Sequence, residues 1–158
     1  MKLDQIDHAI LRYLQEDARI TNADLAEKVG LSPTPCLRRL RRLETDGIIK
    51  GYHAELNREM LGVNVAVIIL VKLEREDDTT LREFEAQIKK RPEVMECYLV
   101  TGKFDYFIRV VIPSLWAYET FLSETILRMP QVATVESSFT LREVERKVVM
   151  PLSGNSGR

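Results

Sequence analysis

The chain has 158 residues, of which 45% are hydrophobic and 30% are charged. This composition is ordinary for a soluble globular protein, and no apolar run approaches the ~20 residues that span a bilayer. The formal net charge of −1 counts against a strongly basic, non-specific nucleic-acid binder. The N-terminus does not resemble a signal peptide, and the two distant cysteines, Cys36 and Cys97, fit a reducing compartment. We therefore predict a cytoplasmic protein without a membrane partner.

Two short helices are predicted at the start of the chain. Residues 3–17 carry apolar positions four apart, and Asp4 is placed to cap this first helix. A second helix begins near Thr21, whose side chain is followed three residues later by a carboxylate, as in a capping box. Gly30 follows the second helix and is typical of a left-handed helix end.

A third helix is predicted from Pro33, with Ser32 as its cap, to a stop at Gly47. On a helical projection, Cys36, Leu40 and Leu43 form a narrow apolar stripe. Four of the five positions from 38 to 42 are arginine. Arg38 lies on the outer face, opposite the stripe. Arg41 and Arg42 flank this outer face, and Arg39 lies nearer the buried edge.

The second and third helices, joined by a sharp turn at Gly30, predict a helix-turn-helix unit in residues 1–50. A solvated arginine face on an ordinary amphipathic helix remains the alternative, as does a helical hairpin that binds nothing. The outward arginines favour DNA binding.

Residues 51–61 are predicted to form a linking strand or hinge, and residues 62–152 a second domain. Its pattern of strand, helix, strand, strand, helix, strand predicts a ferredoxin-like βαββαβ fold, with both helices on one face of a four-stranded antiparallel sheet. The uncovered sheet face predicts a homodimer. Residues 153–158 are small and polar, which predicts a flexible tail. The chain is thus expected to be α+β, with a helix-turn-helix (winged-helix-like) domain first.

The segment VTGKFDY, residues 100–106, is the candidate small-molecule site. A ligand carboxylate can bind backbone N–H groups near Gly102, and Asp105 can accept hydrogen bonds from an α-ammonium group. The alternative is plain turn chemistry, in which Asp105 bonds to its own backbone. We find no catalytic constellation, phosphate loop or metal-ligand spacing in the sequence, and therefore predict no enzyme activity, no metal and no cofactor.

Five segments, LDQIDHAIL, LSPTPCLRRLRRLE, GYHAELN, VTGKFDY and LRMPQVATVESSF, together resemble the Lrp/AsnC family of transcription regulators. The resemblance covers nearly the whole chain. It implies an N-terminal helix-turn-helix domain that binds double-stranded DNA and a C-terminal ferredoxin-like domain that dimerises, assembles further, often into octamers, and binds an amino acid as effector.

Carried over by position, the resemblance assigns the DNA contacts to the third helix and its start, and the effector contacts to the VTGKFDY turn and the last strand. The DNA-binding residues are Ser32, Pro33, Thr34, Pro35, Arg38, Arg41 and Arg42. The effector-binding residues are Thr101, Gly102, Phe104, Asp105, Thr134 and Glu136.

The first hypothesis is accordingly a sequence-specific transcription regulator whose assembly and DNA binding respond to a small amino acid, with leucine or another apolar amino acid favoured. An architectural protein that wraps DNA without strong effector dependence is the alternative. A metabolic enzyme with a regulatory amino-acid domain is a third and weaker possibility.

Overall fold

A computed structural model of the chain describes residues 2–147 and 149–152. These residues form two compact units, of which the second runs from Leu56 to Val144. The first comprises the described residues up to Glu55 together with those from Glu145 onward. The second domain predicted from the sequence extends to residue 152, and this boundary stays a prediction. Met150 exchanges two backbone hydrogen bonds with the Gln15 side-chain amide, at 2.6 and 3.2 Å. The tail predicted at 153–158 lies outside the described residues.

Three helices build the first unit: α1 (Gln5–Glu16), α2 (Asn22–Lys28) and α3 (Pro33–Thr45). The predicted caps of the first two are confirmed, because the Asp4 side chain accepts from the Asp7 N–H and the Thr21 hydroxyl from the Asp24 N–H. Such caps satisfy backbone donors that have no partner within the helix. The three helices enclose one apolar core, formed by Ile10, Leu11, Leu25, Ala26, Cys36 and Leu43.

The turn between α2 and α3 depends on Gly30, which has a φ of +70°. The Leu31 N–H donates to the Ala26 carbonyl at 2.9 Å across this turn. This is the left-handed helix end that glycine favours, because it has no Cβ to clash. The chain therefore reverses within a few residues, as the helix-turn-helix interpretation requires.

Residues 51–61, predicted as a linking strand or hinge, form no strand within the single chain, and their role as a link between the domains stays a prediction. A hydrogen-bonded turn lies at the end of the segment, where the Leu61 N–H donates to the Asn57 carbonyl at 3.3 Å. A strand needs a neighbouring strand to satisfy its backbone groups, and the described part of this chain pairs none with the segment.

The second unit contains β1 (Val65–Leu73), α4 (Asp78–Ile88), β2 (Val94–Leu99), β3 (Tyr106–Ile112), α5 (Leu115–Phe121) and β4 (Val132–Phe139). The strands form one sheet in the order β2-β3-β1-β4, and every neighbouring pair is antiparallel. The predicted ferredoxin-like βαββαβ order is confirmed. Asp77 caps α4, and α5 continues as a π-helical turn over Leu122–Ile126.

One face of this sheet packs against the two helices. Val67, Ile69 and Val71 on β1 are fully buried there, as are Phe84 of α4 and Ile126 beyond α5. The alternate residues of β1 lie on the opposite face, where Leu70 is only half-buried.

Two further observations concern the helices. Leu115, at the start of α5, is 64% exposed, whereas Phe121 at its end occupies a core position. Among the described residues, no helix is both long enough and apolar enough to cross a membrane.

Candidate functional site

The start of α3 is shaped by two prolines. Pro33 and Pro35 occupy its first and third positions and have no N–H to offer. Ser32 stands at the cap position, but its side chain makes no capping hydrogen bond, which corrects our prediction. The physical reason is that a serine cap bonds the N–H of the second or third helical residue, and the third is a proline here. The Asn22 amide instead holds this end through the Pro33 carbonyl at 2.9 Å.

Two arginines of α3 face solvent as predicted. Arg38 and Arg41 are exposed, and neither forms an ion pair with a carboxylate in the part of the chain that the structure describes. Thr34 is also exposed, on the first turn of the same helix. The outer face of α3 therefore presents free guanidinium and hydroxyl groups, which are the donors that phosphate and base edges accept.

The other two arginines of α3 are held by α1. Arg39 Nη1 bonds Asp4 at 2.7 Å and Asp7 at 2.9 Å, and Arg42 Nη2 bonds Asp7 at 2.7 Å. The Asp7 N–H, and then the Arg39 guanidinium, hold the pKa of Asp4 below its ordinary value. Arg39 thus lies at the buried edge as predicted. The Arg42 side chain is 43% exposed, in keeping with its predicted place on the outer face, but Asp7 binds one of its guanidinium nitrogens.

The predicted effector turn joins β2 to β3. The Val100 N–H donates to the Asp105 carbonyl at 2.8 Å, and Gly102 adopts a φ of +126° between them. Thr101 and Gly102 are exposed, whereas Phe104 is buried beneath the Lys103 ammonium, which lies 4.8 Å from the centre of the ring. The turn therefore offers backbone and hydroxyl groups to solvent above an apolar base.

Asp105 is 5% exposed, and both carboxylate oxygens already have partners. One accepts from Lys72 Nζ at 2.8 Å, and the other from the Leu73 N–H at 2.7 Å. Its own N–H donates to the Val71 carbonyl at 2.9 Å. The carboxylate bonds to the end of β1 rather than to its own turn backbone, the alternative that the sequence left open. The predicted contact with a ligand ammonium stays a prediction. Asp105 fastens the turn to the sheet.

The two remaining predicted residues lie on β4, the neighbour of β1 on its other side. Thr134 is opposite Lys72 in the strand register, and Glu136 is opposite Leu70. The Lys103 ammonium lies 3.6 Å from the Glu136 carboxylate, which joins the turn to β4. The structure thus brings the predicted effector residues to one corner of the sheet, where Thr134 and Glu136 are exposed.

Sequence reasoning missed Lys72 and Asp7. Lys72 is the single charged residue in the run from 63 to 73, and a charge inside a buried strand needs a partner. That signal was available. Asp7, in contrast, looks like an ordinary first-turn carboxylate, and nothing local indicates that it is 1% exposed.

Family models match both units. Residues 3–50 match the winged helix-turn-helix DNA-binding model, and residues 66–150 match the Lrp/AsnC ligand-binding domain. The leucine-responsive regulatory protein of Salmonella typhimurium is 43% identical over 144 residues, which cover 91% of this chain and 88% of that protein. The Bkd operon transcriptional regulator of Pseudomonas aeruginosa is 45% identical over 151 residues, covering 96% and 99% respectively.

Solved structures of transcription regulators have the same fold as this chain. A transcriptional regulator from Neisseria meningitidis in complex with L-Met superposes with a TM-score of 0.90 at 38% identity, covering 96% of this chain and 98% of that one. AsnC of E. coli gives a TM-score of 0.87 at 26% identity, covering 96% and 100%. With a ligand-binding model that spans more than half of the sequence and relatives that match along nearly their whole length, the chain belongs to the Lrp/AsnC family of DNA-binding transcription regulators.

Proposed function

We propose that α3 enters the major groove of DNA and that an amino acid bound at the corner of the sheet tunes this binding. The observation that carries the proposal is the pair of free guanidinium groups, Arg38 and Arg41, on the exposed face of the second helix of a helix-turn-helix unit. Arg38 is central on that face and contacts a base edge, while Arg41 contacts phosphate.

The start of α3 supplies the remaining DNA contacts. The hydroxyl groups of Ser32 and Thr34 donate to phosphate, and Ser32 is free to do so because it caps no backbone N–H. Pro33 and Pro35 contribute shape, since they present a rigid first turn to the DNA backbone. Arg42, one of the predicted DNA contacts, is bound to Asp7 and is not part of the proposed set.

Two copies of the chain bind DNA together in this proposal. The uncovered face of the sheet pairs with the same face of a second copy, and further assembly leads to octamers. The two α3 helices then meet successive major grooves, about 34 Å apart, on a pseudo-palindromic site in the cytoplasm.

The effector is a small amino acid, and an apolar one such as leucine or methionine is favoured. The N. meningitidis relative is a complex with L-Met, which supports an apolar side chain. The carboxylate of the effector accepts from the backbone N–H groups of Thr101 and Gly102, while Thr134 and Glu136 bind its ammonium group. The Glu136 side chain is 57% exposed and is therefore the accessible carboxylate of this corner. Phe104 and Asp105 act from below by shaping and fastening the turn.

A sequence-specific regulator is favoured over an architectural DNA-wrapping protein, because the relatives are named as regulators of transcription. No catalytic role and no cofactor is part of the proposal. The two DNA-binding candidates differ in how affinity depends on sequence: the architectural protein binds all duplexes alike, with a steep dependence on salt.

Calorimetric titration with leucine, methionine, aspartate and lysine tests the effector site. We expect an apolar amino acid to bind wild-type protein, and Glu136→Gln to weaken it by roughly 1.5–3 kcal/mol, because a hydrogen bond to a charged group is lost. Glu119→Gln, an exposed change on α5, is the control and should bind as wild type does. Equal affinity in the Glu136 variant and wild type would remove Glu136 from the site, and binding of none of the four would refute the proposed effector class.

A further inference from the structure

The Asp7 carboxylate is the centre of a four-residue cluster between α1 and α3. Its two oxygens accept three hydrogen bonds, from Arg39 at 2.9 Å, from Arg42 at 2.7 Å and from the Asp4 N–H at 3.1 Å. Asp4, on the same helix end, binds Arg39 as well. We call these residues, Asp4, Asp7, Arg39 and Arg42, the acidic clamp.

The clamp is obligatory for the folded helix pair. Asp7 is 1% exposed, and a carboxylate buried to that extent must be paired with cations and hydrogen-bond donors. Arg39 donates to one of its oxygens, and the other oxygen accepts from Arg42 and from the Asp4 N–H. Arg42, whose side chain is 43% exposed, is therefore held toward α1 through one guanidinium nitrogen.

The clamp also removes charge from the helix that faces DNA. The formal charges of its two carboxylates and two guanidinium groups cancel. Of the four arginines between positions 38 and 42, Arg38 and Arg41 alone keep an uncompensated charge among the described residues. Each uncompensated cation that contacts a phosphate releases counterions from the DNA. The resulting gain in binding free energy is the same for every DNA sequence.

We propose that Asp7 determines specificity by withholding Arg42 from the phosphate backbone. This inference rests on the proposed function, in which α3 is the helix that enters the groove. By limiting the sequence-independent contribution, Asp7 keeps non-specific DNA binding weak relative to binding at the cognate site. Asp7 is a positioning residue and touches no nucleotide itself.

A matched pair of variants tests the proposal while Asp7 itself is unchanged. Arg41→Gln and Arg42→Gln are neighbouring, chemically identical changes, and their affinities for a random-sequence 30-base-pair duplex are measured as a function of salt concentration. We expect Arg41→Gln to flatten the slope of log affinity against log salt by about 0.9, the value for one lost phosphate contact. Arg42→Gln should leave the slope within roughly a third of that value of wild type.

The variant Asp7→Asn tests the proposal in the opposite direction, by releasing Arg42 rather than removing it. Without its charge, Asp7 no longer holds Arg42, so the salt slope should steepen by about 0.9, and the ratio of specific to non-specific affinity should fall. The double variant Asp7→Asn/Arg42→Gln should return to the wild-type slope. Asp4→Asn is the control, because Asp4 binds Arg39 and not Arg42, and thermal melting establishes that each variant is folded.

The outcomes separate this inference from the proposed function. Equal flattening by Arg41→Gln and Arg42→Gln would mean that Arg42 meets phosphate, which overturns the role of Asp7 and leaves α3 at the DNA. If neither variant changes the slope, α3 does not face DNA, and the proposed function fails together with the inference. Should Asp7→Asn not fold, the pair of arginine variants still decides.

Discussion

The Asp4 carboxylate, at the start of α1, has two structural roles. Asp4 accepts the Asp7 N–H as a helix cap, and it binds Arg39 of α3 at 2.7 Å. Both contacts favour its ionised form, so its pKa lies below the ordinary value of 3.8. A lowered pKa in the folded state means that the ionised group stabilises the fold above the ordinary pKa. That contribution disappears as the pH falls through the lowered value.

Asp4→Asn should reveal this pH dependence. Asparagine caps a helix as well as aspartate does, so the variant keeps the cap and loses the charge. At pH 6 we expect wild type to be more stable than the variant by roughly 0.2–1 kcal/mol, the range for exposed ion pairs. The difference should shrink below about pH 4. Urea unfolding at several pH values measures it, and a difference that stays constant from pH 6 to pH 3 would contradict the assignment.

At the scale of elements, the sheet of the second unit leaves one face uncovered. Leu70 lies opposite Phe107 in the register of β1 and β3, and the ring of Tyr98 on β2 lies 6.1 Å from that of Phe107. Tyr98 is 54% exposed in the single chain. An apolar patch of this kind on a sheet is covered most simply by the same patch of a second copy.

Phe107→Asp should therefore prevent dimerisation, because a charge would be buried without a partner in the paired faces. Ala86→Glu, on the exposed side of α4, is the control and should keep the wild-type mass. Light scattering or sedimentation measures the mass of both. An unchanged assembly in the Phe107 variant would show that another surface joins the copies.

For the molecule as a whole, the elements were predictable where the signal is local. Pro33 and Gly47 bound α3 by backbone chemistry that the residue itself dictates, and the alternation of helix and strand periodicities gave the βαββαβ order. The candidate DNA-facing arginines followed from helical projection. Each of these inferences needs only residues within a few turns of one another.

The features that the sequence did not predict depend on residues far apart in the chain. Asp7 and Arg42 are 35 positions apart, and Lys72 and Asp105 are 33 apart, so no local pattern could indicate that these pairs meet. A strand over residues 51–61 would depend on a partner strand, which sequence periodicity cannot identify and which the described part of the single chain does not provide. The segment from Glu145, which packs with the first unit, is likewise placed by distant contacts.

The central claim is that α3 reads DNA through Arg38, and a binding titration tests it most directly. The operator is a duplex that wild-type protein selects from a random pool, and the affinities of wild type, Arg38→Ala and Arg128→Ala for it are compared by gel shift. Arg128 is exposed in the second unit, so its variant should bind as wild type does. We predict that Arg38→Ala weakens specific binding by ~1–3 kcal/mol and relaxes the sequence preference at one position. Undiminished affinity and unchanged preference in Arg38→Ala would contradict the account.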